Sequence, residues 1–245
     1  MSTTPFLRRV EKAGTCSGCG LCAAIAPGIR MRQVPPGYAR PEQIGPVGTA
    51  QDAAIAAACP AIIVDERDMP HDPAEPLWGP ARFIGTGHAT DAALRHQGSS
   101  GAVISVLLAH ALESGMVAFV VQTGADPERP LANRTGVSRS LADIMAAAGS
   151  RYTASSPLEQ LEDWLALPGP VAFVGKPCDV TALRARARHD PRINERIPLM
   201  LAFFCAGIPS AAGTRRIIEK LGASPEDVSS FRYRGDGWPG FATAR

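Results

Sequence analysis

The sequence has no apolar run long enough to cross a lipid bilayer, and its charges are nearly balanced. The longest apolar run, near 197–206, is shorter than the about 20 residues that a membrane-spanning helix needs. The 25 basic and 23 acidic residues leave a formal net charge of +2, which gives no broad positive surface for nucleic acid. The first residues lack the apolar core of a secretion signal. We therefore expect a cytoplasmic protein that binds no nucleic acid and does not insert into membranes.

The sequence also lacks the local fourth cysteine that would complete a bacterial ferredoxin run. Cys16, Cys19 and Cys22 are spaced C-x2-C-x2-C, but Ala26 stands before the next proline, where such a run has its fourth cysteine. A second ferredoxin-type cluster at this end is therefore not expected. Cys59, which precedes a proline, is the predicted fourth ligand. Small residues between the first three cysteines let the backbone wrap closely around one [4Fe-4S] cube.

Two other roles are open to these cysteines. A structural zinc site also uses C-x2-C pairs, although zinc knuckles usually combine two separate pairs or a histidine-containing arm. Six cysteines could also form three disulfides in a secreted protein, but four of them fit a cluster and no signal peptide is recognisable. The cluster is the favoured interpretation.

The chain of 245 residues divides by composition into two modules. Residues 1–67 are predicted to form a small, loop-rich, ferredoxin-like module in which a helix over 49–58 delivers Cys59 to the cluster. Residues 68–80 contain four prolines among acidic and polar residues, and we interpret them as a linker. Residues 81–245 form the second predicted module.

In the second module, short apolar strands alternate with helices. This alternation predicts a mostly parallel, three-layer α/β domain, in which ligands bind at the carboxyl ends of the strands. The predicted strands cover 117–122, 171–174 and 198–204. The predicted helices cover 99–113, 138–148, 157–165, 179–188 and 210–221.

Two segments follow predicted strands at that edge of the sheet. Gly175-Lys176-Pro177-Cys178-Asp179 opens a helix, so its N–H groups and the helix dipole could hold an anion such as a flavin pyrophosphate, with Lys176 adding charge. The dipole should also lower the pKa of Cys178. Cys205 follows the next strand, and since the two strands should be neighbours, Cys178 and Cys205 are predicted to lie close together, where they could share one metal site or face one flavin. The alternative is that both are small core residues.

Ser99, Ser100 and Gly101 begin another predicted helix. They are either a simple N-cap or a contact for phosphate or ribityl groups. No residue stands out as a general acid.

Six segments in this order resemble the coenzyme F420 hydrogenase/dehydrogenase beta-subunit family. They are 16–22, 97–103, 147–152, 175–180, 203–210 and 233–240. The resemblance implies an iron–sulfur flavoprotein with FAD, a redox partner protein or hydrogenase/dehydrogenase subunits, and a small-molecule electron acceptor. Members of the family usually continue beyond the last segment with more cysteines, so we expect a C-terminally shortened chain. A second [4Fe-4S] cluster that includes Cys178 and Cys205 would belong to a longer form.

The resulting hypothesis is an oxidoreductase that passes electrons between a [4Fe-4S] cluster and FAD and on to an organic acceptor such as coenzyme F420. The alternatives are a reductase of a chlorophyll-type tetrapyrrole, which the family resemblance also allows, an electron-transfer subunit without a substrate of its own, and a zinc-stabilised binding module.

Overall fold

The protein is built around a mixed β-sheet that carries helices on both faces. The computed structural model describes residues 4–65, 81, 83–98, 101–237 and 240–245. In chain order the elements are α1 (Pro5–Ala13), α2 (Leu21–Ile25), β1 (Ile29–Val34), β2 (Tyr38–Gln43), α3 (Thr49–Ala58), α4 (Ala92–Gly98), α5 (Ala102–Glu113), β3 (Phe119–Ala125), β4 (Asn133–Ser138), α6 (Leu141–Ala147), α7 (Leu161–Ala166), β5 (Val171–Gly175), α8 (Pro177–Ala187), α9 (Pro191–Arg196), β6 (Leu199–Ala202), α10 (Ala211–Lys220), β7 (Phe231–Arg232) and β8 (Thr243–Ala244).

In the described part of the chain, the central sheet has four strands in the order β4-β3-β5-β6. β3, β5 and β6 are parallel, and β4 lies antiparallel to β3 at one edge. The prediction of a mostly parallel α/β domain is therefore confirmed. The sequence analysis missed β4, because this edge strand reads Asn-Arg-Thr-Gly-Val-Ser and carries little apolar signal. The predicted strand over 198–204 was too long, since β6 ends at Ala202.

The side chains of β3 alternate between two hydrophobic layers, as the period of a strand requires. Phe119 and Val121 pack on one face of the sheet in a core that includes Trp164 of α7 and Leu183 of α8. Val120 points to the other face and shares a core with residues of α5 and α6. These two cores give the three-layer arrangement that the sequence predicts.

The N-terminal segment contains more regular structure than predicted. α3 has the bounds that the sequence predicts, but α1 and the β1–β2 hairpin were missed. The start of α1 is specified locally, because Thr4 accepts a hydrogen bond from the Leu7 N–H and a proline occupies the first helical turn. Gly14 ends α1 in the left-handed region at a φ of 68°.

The hydrophobic core beneath the sheet continues into the N-terminal segment. Cys19 and Leu21 belong to the same buried cluster as Phe173. The Leu158 N–H donates to the Cys19 carbonyl at 2.8 Å, and the Met31 N–H donates to Glu159 Oε1 at 2.9 Å. The turn before α7 therefore fastens the cysteine loop to the α/β domain. The linker predicted over 68–80 lies outside the described residues, and the domain boundary stays a prediction.

A search of the described residues for a helix of sufficient length and hydrophobicity to span a membrane finds none.

Candidate functional site

The four predicted cluster ligands line one cavity in the N-terminal segment. Cys16, Cys19, Cys22 and Cys59 all contribute to its wall. The other wall residues are mostly apolar: Leu7, Val10, Ile25, Met31, Pro41 and Ile55. A cavity with a four-thiol donor set and an apolar wall fits a [4Fe-4S] cluster, which is held by four cysteine thiolates.

Local backbone geometry brings the four thiols together. Gly18 and Gly20 take φ values of 73° and 90°, which turn the loop between the first cysteines. A Cβ on Gly20 would lie 2.8 Å from the Glu159 nitrogen, so this position has room only for glycine. α2 carries Cys22 in its first turn, and Cys59 caps the end of α3.

Burial disfavours the charged form of these thiols. It raises the pKa of Cys19 to about 12 and that of Cys22 well above its ordinary value. The pKa of Cys59 is also raised, mainly by burial, and the neighbouring thiolate charge of Cys16 adds to the effect. Four thiolates in this apolar cavity therefore need positive charge among them, which the iron of a cluster would supply.

Among the described residues, no group of three or more His, Cys, Asp or Glu side chains is placed so that it could hold a metal ion. The assignment of the four cysteines to a cluster stays a prediction.

The start of α8 lies where the sequence predicts it, directly after β5. Lys176 is the N-cap residue, and the Asp179 carboxylate accepts a hydrogen bond from the Lys176 N–H at 2.8 Å. The Lys176 ammonium donates to the same Oδ2 atom at 2.8 Å. The Asp179 carboxylate thus accepts from both the N–H and the ammonium of Lys176, the lysine to which the sequence analysis assigned an external anion. A flavin contact through Gly175, Lys176, Pro177 and Cys178 stays a prediction.

The predicted lowering of the Cys178 pKa is wrong. Burial is the main cause that raises it, and the adjacent Asp179 charge raises it further. The Lys176 charge acts in the opposite direction but does not compensate. The sequence analysis counted the helix dipole and overlooked the carboxylate that caps the same helix.

Cys178 and Cys205 follow neighbouring strands, as predicted. β5 and β6 are parallel, with Gly175 opposite Ala202, and each cysteine lies three residues beyond that pair. A negative charge on Cys205 contributes to raising the pKa of Cys178, so the two thiols are within electrostatic range. Cys205 is exposed and Cys178 half-buried. A shared metal site on these two cysteines stays a prediction.

The first cysteine loop also influences Cys178, which the sequence analysis did not anticipate. Burial raises the pKa of Cys178, and the side chain of Ser17, which lies between two of the predicted cluster ligands, acts in the opposite direction. No local sequence signal indicates this influence.

Three of the six family-like segments meet around Arg232. Its guanidinium donates to the Gln97 carbonyl at 2.8 Å and to Asp236 Oδ1 at 3.0 Å. A Cβ on Gly149 would lie 3.7 Å from the same guanidinium, and the Gly237 N–H donates to the His96 carbonyl at 2.9 Å. Described residues of the segments 97–103, 147–152 and 233–240 are therefore brought together near the end of α4.

Of the predicted flavin contacts at that helix start, Ser99 and Ser100 lie outside the described residues. Gly101 is the N-cap of α5 with a φ of −76°, and no heavy atom of the described residues lies within 4 Å of the position where a Cβ would stand. The backbone here is open to a ligand. Whether it contacts one stays a prediction.

Comparison with known families agrees with this arrangement of segments. Residues 84–162 match the N-terminal region of the coenzyme F420 hydrogenase/dehydrogenase beta subunit, and residues 169–244 match its C-terminal region. The chain belongs to this family. The matched regions cover most of the α/β domain and begin after Cys59, the last of the four predicted cluster ligands. The family match therefore rests on the part of the chain that contains the four-stranded sheet.

One solved structure shows a fold similar to that of this chain. It is a chain of the F420-reducing [NiFe] hydrogenase complex from Methanosarcina barkeri, studied as a xenon derivative, with a TM-score of 0.53 and 20% sequence identity. The match covers 64% of this chain and 57% of the hydrogenase chain. This chain therefore spans little more than half the length of that relative.

Proposed function

We propose that this family member is an iron–sulfur flavoprotein that transfers electrons between a [4Fe-4S] cluster and FAD and delivers them to coenzyme F420. The observation that carries the proposal is the cavity lined by Cys16, Cys19, Cys22 and Cys59. Its thiols are the donor set of a cluster, and its apolar wall excludes water from the metal. Membership of the beta-subunit family supports the oxidoreductase class.

Each module has its own task in this proposal. The cysteine loop and the end of α3 hold the cluster, and the hydrogen bond from Leu158 to the Cys19 carbonyl fixes that loop against the α/β domain. FAD, when bound, supplies a carrier that accepts electrons one at a time or in pairs. The backbone at Gly101 is the surface to which we assign the flavin.

The fold likeness to a chain of a hydrogenase complex also supports a role as one subunit of a larger enzyme. We propose a redox subunit or enzyme as electron donor and a small molecule as acceptor. A subunit that only relays electrons would hold both cofactors and still fail to reduce F420.

The first test is the ligand set. We expect the anaerobically reconstituted protein to contain iron and sulfide in equal amounts, with broad visible absorption and superimposed flavin peaks. Cys59→Ala should lose the cluster, because Ala26 leaves no local replacement for the fourth ligand. Cys205→Ala, which changes an exposed cysteine outside the cavity, is the matched control and should keep full iron content.

Full iron occupancy in Cys59→Ala would contradict the assigned ligand set. A colourless protein that contains zinc would contradict the whole proposal. F420 reduction with an artificial electron donor then separates an enzyme from an electron-relay subunit.

A further inference from the structure

A second cavity, of about 280 Å³, lies where the β1–β2 hairpin meets the C-terminal part of the α/β domain. Its wall combines Gln33 of β1 with residues of the loop between β3 and β4, the first turns of α10 and the segment before β7. No described residue lines both this cavity and the cluster cavity. Its volume is near the lower limit for small-molecule sites, which are common at junctions between modules.

Hydrogen bonds hold two sides of this second cavity in place. The Arg151 guanidinium donates to the carbonyls of Pro130 and Ala132, both of which line it, at 2.8 and 2.7 Å. On the other side, the Ala212 N–H donates to the Pro36 carbonyl at 3.0 Å and fastens the hairpin turn to the start of α10. The loop and the hairpin that frame the cavity are therefore fixed before any ligand binds, which lowers the cost of binding.

Two arginines line the cavity, and each is held by a carboxylate on one edge. Asp126, which is 4% exposed, accepts from Nε and Nη2 of Arg129 at 3.0 and 2.8 Å, so Nη1 lies on the edge away from the carboxylate. Nη2 of Arg215 pairs with Glu226 at the protein surface. The other edge of each guanidinium has the fork geometry that suits a carboxylate or a phosphate.

The rest of the wall determines what else the ligand must have. Leu131, Pro225 and Val228 supply apolar surface, and Ala211 brings the positive end of the α10 dipole to the cavity. Because the two carboxylates largely balance the two arginines, a bare inorganic ion gains little here. A molecule that joins an apolar body to an anionic group uses both kinds of wall.

We propose that this second cavity binds a small organic anion, whose apolar body packs on Leu131 and Val228 and whose carboxylate or phosphate binds Arg129 and Arg215. The site is additional to those of the proposed function, since Gly101, to which the flavin is assigned, is not among the described residues of its wall. Its walls come from the hairpin as well as from the α/β domain. A bound ligand therefore joins the two parts and raises the thermal midpoint of unfolding.

The test measures binding of three fluorinated probes to the full chain by fluorine NMR: 4-fluorobenzoate, 4-fluorophenyl phosphate and the neutral 4-fluorobenzyl alcohol. We expect at least one of the two anions to bind with a Kd on the order of 1 mM, as is usual for so small a molecule. A preference between the anions identifies the group that the site recognises. The alcohol should bind about tenfold more weakly or worse, because it keeps the ring and lacks the charge. Equal affinity for the alcohol, or no binding of either anion, would overturn the proposal.

Substitutions on α10 locate the probe in the cavity. Arg215→Met should weaken anion binding about tenfold, and Arg215→Lys should restore part of the affinity, because a lysine keeps the charge without the fork. Arg216→Met is the matched control. Arg216 is the next residue of the same helix and is also exposed, but it lies outside the cavity wall. Its loss makes the same change in net charge and should leave the affinity at the wild-type value.

Gln33→Trp tests the same cavity through its volume. Gln33 is exposed on β1, and a strand accepts an aromatic residue at such a position, so the variant should fold with an unchanged midpoint in the absence of probe. The larger side chain should fill part of the cavity, prevent anion binding and remove the rise in midpoint that the anion causes in the wild type. Wild-type affinity in either folded variant, Arg215→Met or Gln33→Trp, would show that the anion binds elsewhere and would overturn the site.

Discussion

The guanidinium group of Arg151 links its own segment to two others in the α/β domain, residues 130–133 and Phe231. It donates to the carbonyls of Pro130 and Ala132 at 2.8 and 2.7 Å, to Asn133 Oδ1 at 3.0 Å and to the Phe231 carbonyl. Burial lowers the pKa of Arg151 from its usual range, so the carbonyl oxygens must replace the water that the charge has lost. The segment 147–152 therefore has a structural task besides its position near Arg232.

Arg151→Lys should destabilise the protein, because a lysine ammonium cannot reach several carbonyls in the fork geometry of a guanidinium. We expect the free energy of unfolding to fall by about 2 to 4 kcal/mol. Urea denaturation followed by circular dichroism measures it. Arg184→Lys, at an exposed position of α8, is the control and should change stability by less than about 0.5 kcal/mol. Equal stability of the two variants would show that the carbonyl contacts carry no energy.

Single residues also show what the sequence could reveal of the candidate site. The four cysteines were identifiable because their spacing and the missing cysteine at Ala26 are visible in the sequence itself. The role of Arg232 was not, because it depends on a contact with Gln97, which lies far away in the chain. The pKa of Cys178 was predicted in the wrong direction for the same reason, since it depends on burial as well as on the helix start.

At the scale of secondary structure, the sequence predicts buried elements better than edge elements. β5 and most of β3 are buried and contain short apolar runs, so their positions were predicted to within a few residues. β4 is an edge strand with an exposed face, and its polar sequence resembles a loop. The β1–β2 hairpin is likewise largely polar and short.

The start of α5 carries a prediction about the flavin. Gly101→Val should fold, because its φ of −76° suits any residue and no heavy atom of the described part of the chain lies within 4 Å of the new Cβ. It should lose FAD, because the branched side chain blocks approach to the backbone. The ratio of flavin to protein after gel filtration, measured together with the thermal midpoint, checks this.

Gly136→Val is the control for the flavin prediction. Gly136 lies in the edge strand β4 and also has no heavy atom within 4 Å of a new Cβ. Its flavin content should equal that of the wild type. If Gly101→Val also binds flavin at the wild-type ratio, the start of α5 is only a helix cap.

For the whole molecule, the cysteine segment and the α/β domain share a core. Cys19, Leu21 and Ala58 pack in the same buried cluster as Trp164 and Phe173. The Met31–Glu159 hydrogen bond and the ion pair between Arg188 and Asp65 add polar contacts between the two parts. The composition of the chain suggested two modules, but it could not reveal this shared core, because hydrophobic contacts between distant segments leave no local pattern.

The shared core predicts that removal of the cluster destabilises the α/β domain as well as the cysteine loop. Loss of a bound group that stabilises only the folded state lowers the free energy of unfolding. In a chain of this size, a decrease of several kcal/mol lowers the thermal midpoint by about 5 °C or more. Trp164 is the reporter, since it is buried in the shared core and its ring centroid lies 6.1 Å from that of Phe173.

The measurement compares thermal unfolding of the iron-loaded and iron-free forms in a Trp78→Phe/Trp238→Phe background, so that Trp164 alone reports. We expect the iron-free form to lose the Trp164 signal at a lower temperature, because Cys19 and Leu21 can no longer be held against the sheet. Loaded Cys205→Ala should retain the higher midpoint, since that exposed cysteine lies outside the cavity. An unchanged Trp164 midpoint in the iron-free form would show that the α/β domain folds independently of the cluster, and that the contacts through Leu158 and Glu159 only dock a separate module onto it.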